Sequence, residues 1–138
     1  MIEAFGAVNW WATGVGAVAY FVLGALWFSP LFGRAWDRAV GHERQKGERF
    51  PTSYYVVPLV SSIVIAVATA WMAEAVGLAG FWDGTLFTVA LGVGIAAAVS
   101  VTNAMTPNMR HPFVYGAVTG GYHFVGIGIV TAIVMTLG

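Results

Sequence analysis

The segment Gly120–Gly128 reads GGYHFVGIG, and its single imidazole, His123, stands among glycine, aromatic and aliphatic residues only. Imidazole in apolar surroundings has few uses. It can relay a proton, respond to pH, or ligate haem or a chlorophyll-type pigment axially. It can also stay neutral and hydrogen-bond a neighbouring hydroxyl as part of the packing. Helical spacing puts Thr119 one turn away on the same face, and Tyr20 and Ser61 or Ser62 reach a similar depth on other helices. Asn9 and Asn103 lie towards helix ends, where an amide either bonds a neighbouring helix or lines an entrance. His123, Tyr20, Asn9, Asn103, Ser62 and Thr119 are therefore the candidate intramembrane polar site. Haem held by two histidines would need a second imidazole at that depth. His42 and His111 belong to charged loops, so only a second copy of the chain could offer one.

Other chemistries lack their residues. The chain has no cysteine, which removes disulfides, thiolate metal sites and cysteine nucleophiles. A serine elbow, an HExxH pair and a phosphate-cradling glycine loop are all absent. Gly92–Gly94 (GVG) and Gly126–Gly128 (GIG) lie inside apolar runs rather than after a strand, so they cannot hold a nucleotide. No catalytic residue, metal ligand or resident cofactor is assigned. Six basic residues balance six acidic ones, without the cationic excess that nucleic acid requires.

The elements that must position His123 follow from hydropathy. Of the 138 residues 59% are hydrophobic and 9% charged, against about 25% charged in ordinary soluble domains. The apolar residues form runs of about 20, the length that crosses a bilayer core of ~30 Å at ~1.5 Å per residue. Four such runs are read, at about 8–28, 54–74, 85–105 and 113–137, and together they make one all-α membrane domain over residues 1–138. A cleaved signal peptide is the competing reading of the first run. Glu3 and the lack of Lys or Arg before it argue against that. Between the first two runs, Ser29-Pro30 looks like a helix start, with serine as cap and proline in the first turn. Over residues 30–40, Leu31, Phe32, Ala35, Trp36, Ala39 and Val40 share one face, with Arg34, Asp37 and Arg38 opposite. That pattern predicts a short amphipathic helix on the cytoplasmic membrane surface, stopped by Gly41. Asp83 is placed to cap the third long helix.

All six Lys and Arg fall in two loops: Arg34, Arg38, Arg44, Lys46 and Arg49 before the second run, and Arg110 before the fourth. The positive-inside rule makes both loops cytoplasmic and both termini non-cytoplasmic, N-out and C-out. So strong a bias argues against a dual-topology dimer. Two hairpins entering from the same side do not form the opposed halves of an inverted-repeat transporter. Small residues at four-residue spacing, Thr88, Gly92, Ala96 and Ser100 on the third helix and Gly116 and Gly120 on the fourth, predict close helix contacts.

Asn9-Trp10 and the stretch GALWFSPLFGRAW, with Gly24, Trp27, Phe28, Ser29, Pro30, Phe32, Gly33 and Trp36 at its marked positions, resemble a known family. It is the bacterial membrane family termed domain of unknown function 1761. The similarity is carried by the first third of the chain, with Asn103 and Tyr122-His123 agreeing more loosely. Where many members carry tyrosine, this chain has Phe28. The resemblance implies a four-helix layout and a bacterial cytoplasmic membrane, and it implies no catalytic residue or substrate. The shared corner reads mechanically, with Trp27 and Trp36 flanking a bend that sets how the surface helix leaves the membrane. The leading expectation is a bilayer-embedded protein that works through association, as a homo-oligomer or an accessory subunit of a membrane complex. A small channel or carrier with a polar path at His123, and a haem or pigment carrier, are the other two.

Overall fold

The computed structural model describes all of residues 1–138 as helices and connecting turns, with no strand. Four stretches are long and apolar enough to cross a membrane: Trp10–Leu31, Ser53–Val76, Phe81–Ala104 and Pro112–Leu137. The first consists of α2 (Trp10–Leu26) and a π-helical turn at Trp27–Leu31, and a short α1 (Ile2–Ala7) precedes it. Then come α3 (Gly33–Val40) and α4 (Ser53–Val76). The third stretch is α5 (Phe81–Leu91), a second π-helical segment (Gly92–Ala97) and α6 (Ala98–Ala104); α7 (Pro112–Leu137) is the fourth.

Two helix starts differ from the sequence expectation. Ser29-Pro30 does not open the surface helix. Pro30 lies inside the first π turn, Ser29 makes no capping bond, and α3 begins only at Gly33. The reason is backbone chemistry. Proline has no N–H for the carbonyl four residues back, so the ladder widens, and Phe32 N–H donates to Trp27 O at 2.8 Å across five residues. Gly33 follows because a side chain there would meet the Phe28 carbonyl at 2.7 Å. The third long helix starts at Phe81, four residues before its expected start. Gly80 is its N-cap, and Asp83 acts from within the first turn, its carboxylate accepting the Ala79 amide at 3.2 Å.

Helix α7 is the hub. It packs against α2, α4 and the whole α5–α6 stretch, while α4 leans on α2 and α7. The helices touch where side chains are smallest. Gly16 faces Val130, Gly24 faces Tyr122, and Gly126 lies directly under the Tyr20 ring. Such approach is what holds spanning helices together in hydrocarbon, where apolar burial alone gives no preference for protein over lipid. Large apolar residues such as Val18, Val22, Val60, Val64, Leu86 and Val93 point outward.

The second π segment sets the contact between α5–α6 and α7. Thr88 meets Gly128 and Gly92 meets Phe124, but the next contacts are Ala97 with Gly120 and Val101 with Gly116. The four-residue step becomes five across Gly92–Ala97. The expected stripe through Ala96 and Ser100 is therefore turned off the α7 contact by one residue. Those two side chains face the gap between α6 and α4 instead.

Both basic loops lie at one end of the bundle. The amides of Arg110 and His111 donate to Ala39 O at 3.1 Å, and Arg110 packs its methylenes on Gly41, which ends α3 with φ 75°.

Candidate functional site

Near the middle of α7, His123 Nδ1 lies 2.6 Å from the Tyr20 hydroxyl. Tyr20 is fully buried, wedged over Gly126 of α7. A phenol needs an acceptor for its hydrogen, and Nδ1 is the one within reach, so the neutral ring carries its proton on Nε2. No protein group bonds that Nε2. His123 lines a cleft of about 570 Å³ between α2 and α4 at the basic-loop end, floored by α7.

The cleft is built in layers. Thr119 and Tyr115 continue the His123 face of α7, one and two turns towards the basic end. Thr13, Ser62, Ser100 and Thr131 all close their hydroxyls onto the carbonyl four residues earlier, at 2.8–2.9 Å. Thr119 does not: its Oγ1 is buried and has no partner. An aromatic row leads from buried Tyr20 to the cleft-lining Tyr122, Phe28 and Trp36, with ring centres 5.1, 5.1 and 6.2 Å apart in turn. On the α4 side, Pro58 leaves the Tyr54 carbonyl without its usual donor at the cleft wall. Arg44 stands at the mouth, bonded to Asp37 at 2.9 Å and lying over Phe50. The rim also includes Ala25 of α2 and Val57 of α4, both exposed within apolar spans, so the cleft opens sideways as well as towards the loops.

A second hollow of about 380 Å³ lies between α4 and α6, lined by Ile65, Ile95, Ala96, Val99, Ser100 and Asn103. Thr119, Tyr115 and His123 border both hollows. Beyond His123, away from the basic end, Val130, Thr131, Ala66, Ala70 and Ala12 are buried and the helices are in contact.

The candidate residues thus separate. His123, Tyr20, Ser62 and Thr119 come together, and Asn103 joins them only through the second hollow. Asn9 is at the far end. Its side chain caps α2 through the Ala12 amide at 3.0 Å and donates to Leu137 O at 2.8 Å, tying the start of one span to the end of another. In the Gly24–Trp36 corner, Trp27 donates to Val118 O at 2.9 Å and packs at a tilt against Phe32, while Phe28, Ser29 and Trp36 line the cleft. Sequence reasoning missed Tyr115 and Arg44. Stepping back by fours from His123 reaches Tyr115, a signal that was present. Nothing local marks Arg44, whose place depends on the loop folding back.

Outside the spans, Glu48 accepts the Gln45 amide and His42 Nε2, each at 3.1 Å. These bonds, the Gln45 amide first, hold its carboxyl below the usual carboxylate range.

No curated protein and no solved structure matches the chain. Residues 11–135 match the family described as "Protein of unknown function (DUF1761)", and the chain belongs to that family.

Proposed function

We propose that the chain is an integral protein of a bacterial cytoplasmic membrane that holds a small membrane-soluble molecule in the His123 cleft. The two basic loops face the cytoplasm, both termini lie outside, and α3 rests on the inner surface. The carrying observation is the cleft of about 570 Å³, within the 300–1,000 Å³ usual for small-molecule sites. It is mostly apolar, with a few polar groups, His123 and Thr119 among them, the arrangement that gives a site orientation and specificity. Retention fits this geometry better than conduction, because the packed layer at Tyr20, Val130 and Thr131 stands between the cleft and the opposite end of the bundle. No arrangement of nucleophile and base accompanies the cleft, so binding rather than turnover is the function proposed.

The test is chemical. Protein taken directly from the membrane in polymer nanodiscs should carry a small molecule enriched over bulk lipid, detected by mass spectrometry. Ser61→Phe, which fills the cleft from α4, should lose it. Equal small-molecule content in both proteins would exclude the site.

The hollow between α4 and α6 favours a second role, association with another copy of the chain. Asn103 is exposed there with no protein partner, and an amide in a spanning helix gains by finding one across an interface. Size measurement in native nanodiscs should give a particle larger than one chain, reduced to the monomer by Asn103→Leu. A strictly monomeric native particle would remove this role.

A further inference from the structure

We infer that the guest of the His123 cleft is a neutral, ring-headed carbonyl compound with an apolar tail, of the quinone class, which enters from the lipid and offers a carbonyl oxygen to His123 and Thr119. The inference rests on the binding reading above and names its ligand.

Three observations select this chemistry. First, the deep end presents donors. Nδ1 of His123 is engaged by Tyr20, which leaves Nε2–H without a protein partner, and the Thr119 hydroxyl, one turn away on the same cleft-lining face, is buried and unpartnered. A buried hydroxyl without a bond keeps its desolvation penalty uncompensated, so a ligand acceptor at this place has a built reason to be there. Second, the deep end carries no formal charge. No Asp or Glu lines the cleft, and its one cation, Arg44, is at the mouth and already bonded to Asp37. A charged head would have to leave water without a counter-ion at mid-membrane depth, which is strongly unfavourable. An acyl tail is equally mismatched, because it would bury both donors against hydrocarbon. Third, the cleft has ring walls: Phe21, Phe28 and Tyr122 line it together with His123 and Thr119, and aromatic faces favour a planar head. The exit between Ala25 and Val57 opens onto hydrocarbon, where an apolar tail can trail.

The experiment titrates a benzoquinone bearing a decyl tail into nanodiscs holding the whole chain, reading the fluorescence of its six tryptophans, of which Trp36 lines the cleft and Trp27 packs on Tyr122 of its wall. The cleft-filled Ser61→Phe protein supplies the correction for quinone merely dissolved in lipid. Saturable quenching is expected. Loss of a neutral hydrogen bond corresponds to about a fivefold weakening, so Thr119→Val, which keeps the shape, and His123→Phe should each raise Kd about fivefold or more. His123→Gln, which restores an N–H donor, should recover part of the loss. Decylbenzene, with the same tail and a planar six-membered ring but no acceptor, should compete poorly. If decylbenzene competes as well as the quinone, or if Thr119→Val and His123→Phe both bind it unchanged, the carbonyl assignment is overturned while the cleft remains a binding site. If neither compound binds saturably and no enriched molecule leaves with the native protein, the binding reading falls with it.

Discussion

At the scale of single residues, the contact between Tyr20 and His123 depends more on a missing side chain than on the hydrogen bond itself. Gly126 has no Cβ, and the Tyr20 ring occupies the space a Cβ would take. Overfilling such a contact typically destabilises by about 1–3 kcal/mol, whereas one hydrogen bond between spanning helices averages about 0.6 kcal/mol. Gly126→Val should therefore lower stability more than Tyr20→Phe, by a kcal/mol or more, in unfolding titrations from mixed micelles. Equal effects would mean that the bond and not the close approach fixes the ring. Glu48 gives a second prediction, outside the membrane. A carboxylate held below its ordinary value in the folded loop stabilises that loop above the ordinary value and gives the stabilisation up as pH falls through the native one. Protection of the Gln45 amide from hydrogen exchange should be present near pH 6 and decline below about pH 4. Glu48→Gln should show little protection at either pH. A profile that rises towards acid would contradict the bond pattern.

At the scale of elements, the apolar runs were legible because bilayer thickness dictates their length, and His123, Thr119, Ser62 and Tyr20 were legible as a group because helical rise alone sets their depth. The π segments were not. Whether a backbone amide reaches back four residues or five depends on tertiary packing and leaves no period in the side chains. The stripe Gly92, Ala96, Ser100 was therefore continued as if the helix were uniform, and the structure shifts it to Gly92, Ala97, Val101. The Ser29-Pro30 corner failed for the related reason that proline in a first turn and proline inside a widened turn look alike in sequence. Because the chain has no cysteine, engineered pairs report this register cleanly. A Cβ at Gly116 lies 3.5 Å from that of Val101, within the range of a disulfide. Val101→Cys paired with Gly116→Cys should cross-link rapidly under mild oxidation, and Ser100→Cys with Gly116→Cys should not. The reverse pattern would indicate an unbroken α-helix from Phe81 to Ala104.

At the scale of the whole molecule, an unclosed bundle gathers its polar atoms towards one end. Helix α7 contacts every other span, α5–α6 rests on it without closing onto α4, and the two hollows left over meet at Thr119 and His123. The opposite end is sealed by Ala12, Ala66, Ala70, Val130 and the bond from Asn9 to Leu137 O. Which compartment the cleft serves thus depends on which way the bundle sits, and the charge distribution carries the proposed orientation. Six basic residues lie at the cleft end, whereas the α4–α5 turn at the other end is flanked by Glu74 and Asp83. The proposed orientation follows the retention of Lys and Arg on the cytoplasmic side during insertion, which would place the cleft end in the cytoplasm. Single cysteines at Lys46 and Asn108, both exposed, should be shielded from a membrane-impermeant maleimide added to intact cells and react once the membrane is opened. A cysteine at Ala79, exposed in the α4–α5 turn, should react without opening. Labelling of Lys46→Cys and Asn108→Cys in intact cells with Ala79→Cys protected would invert the orientation and turn the mouth of the cleft, with Arg44, to the outside.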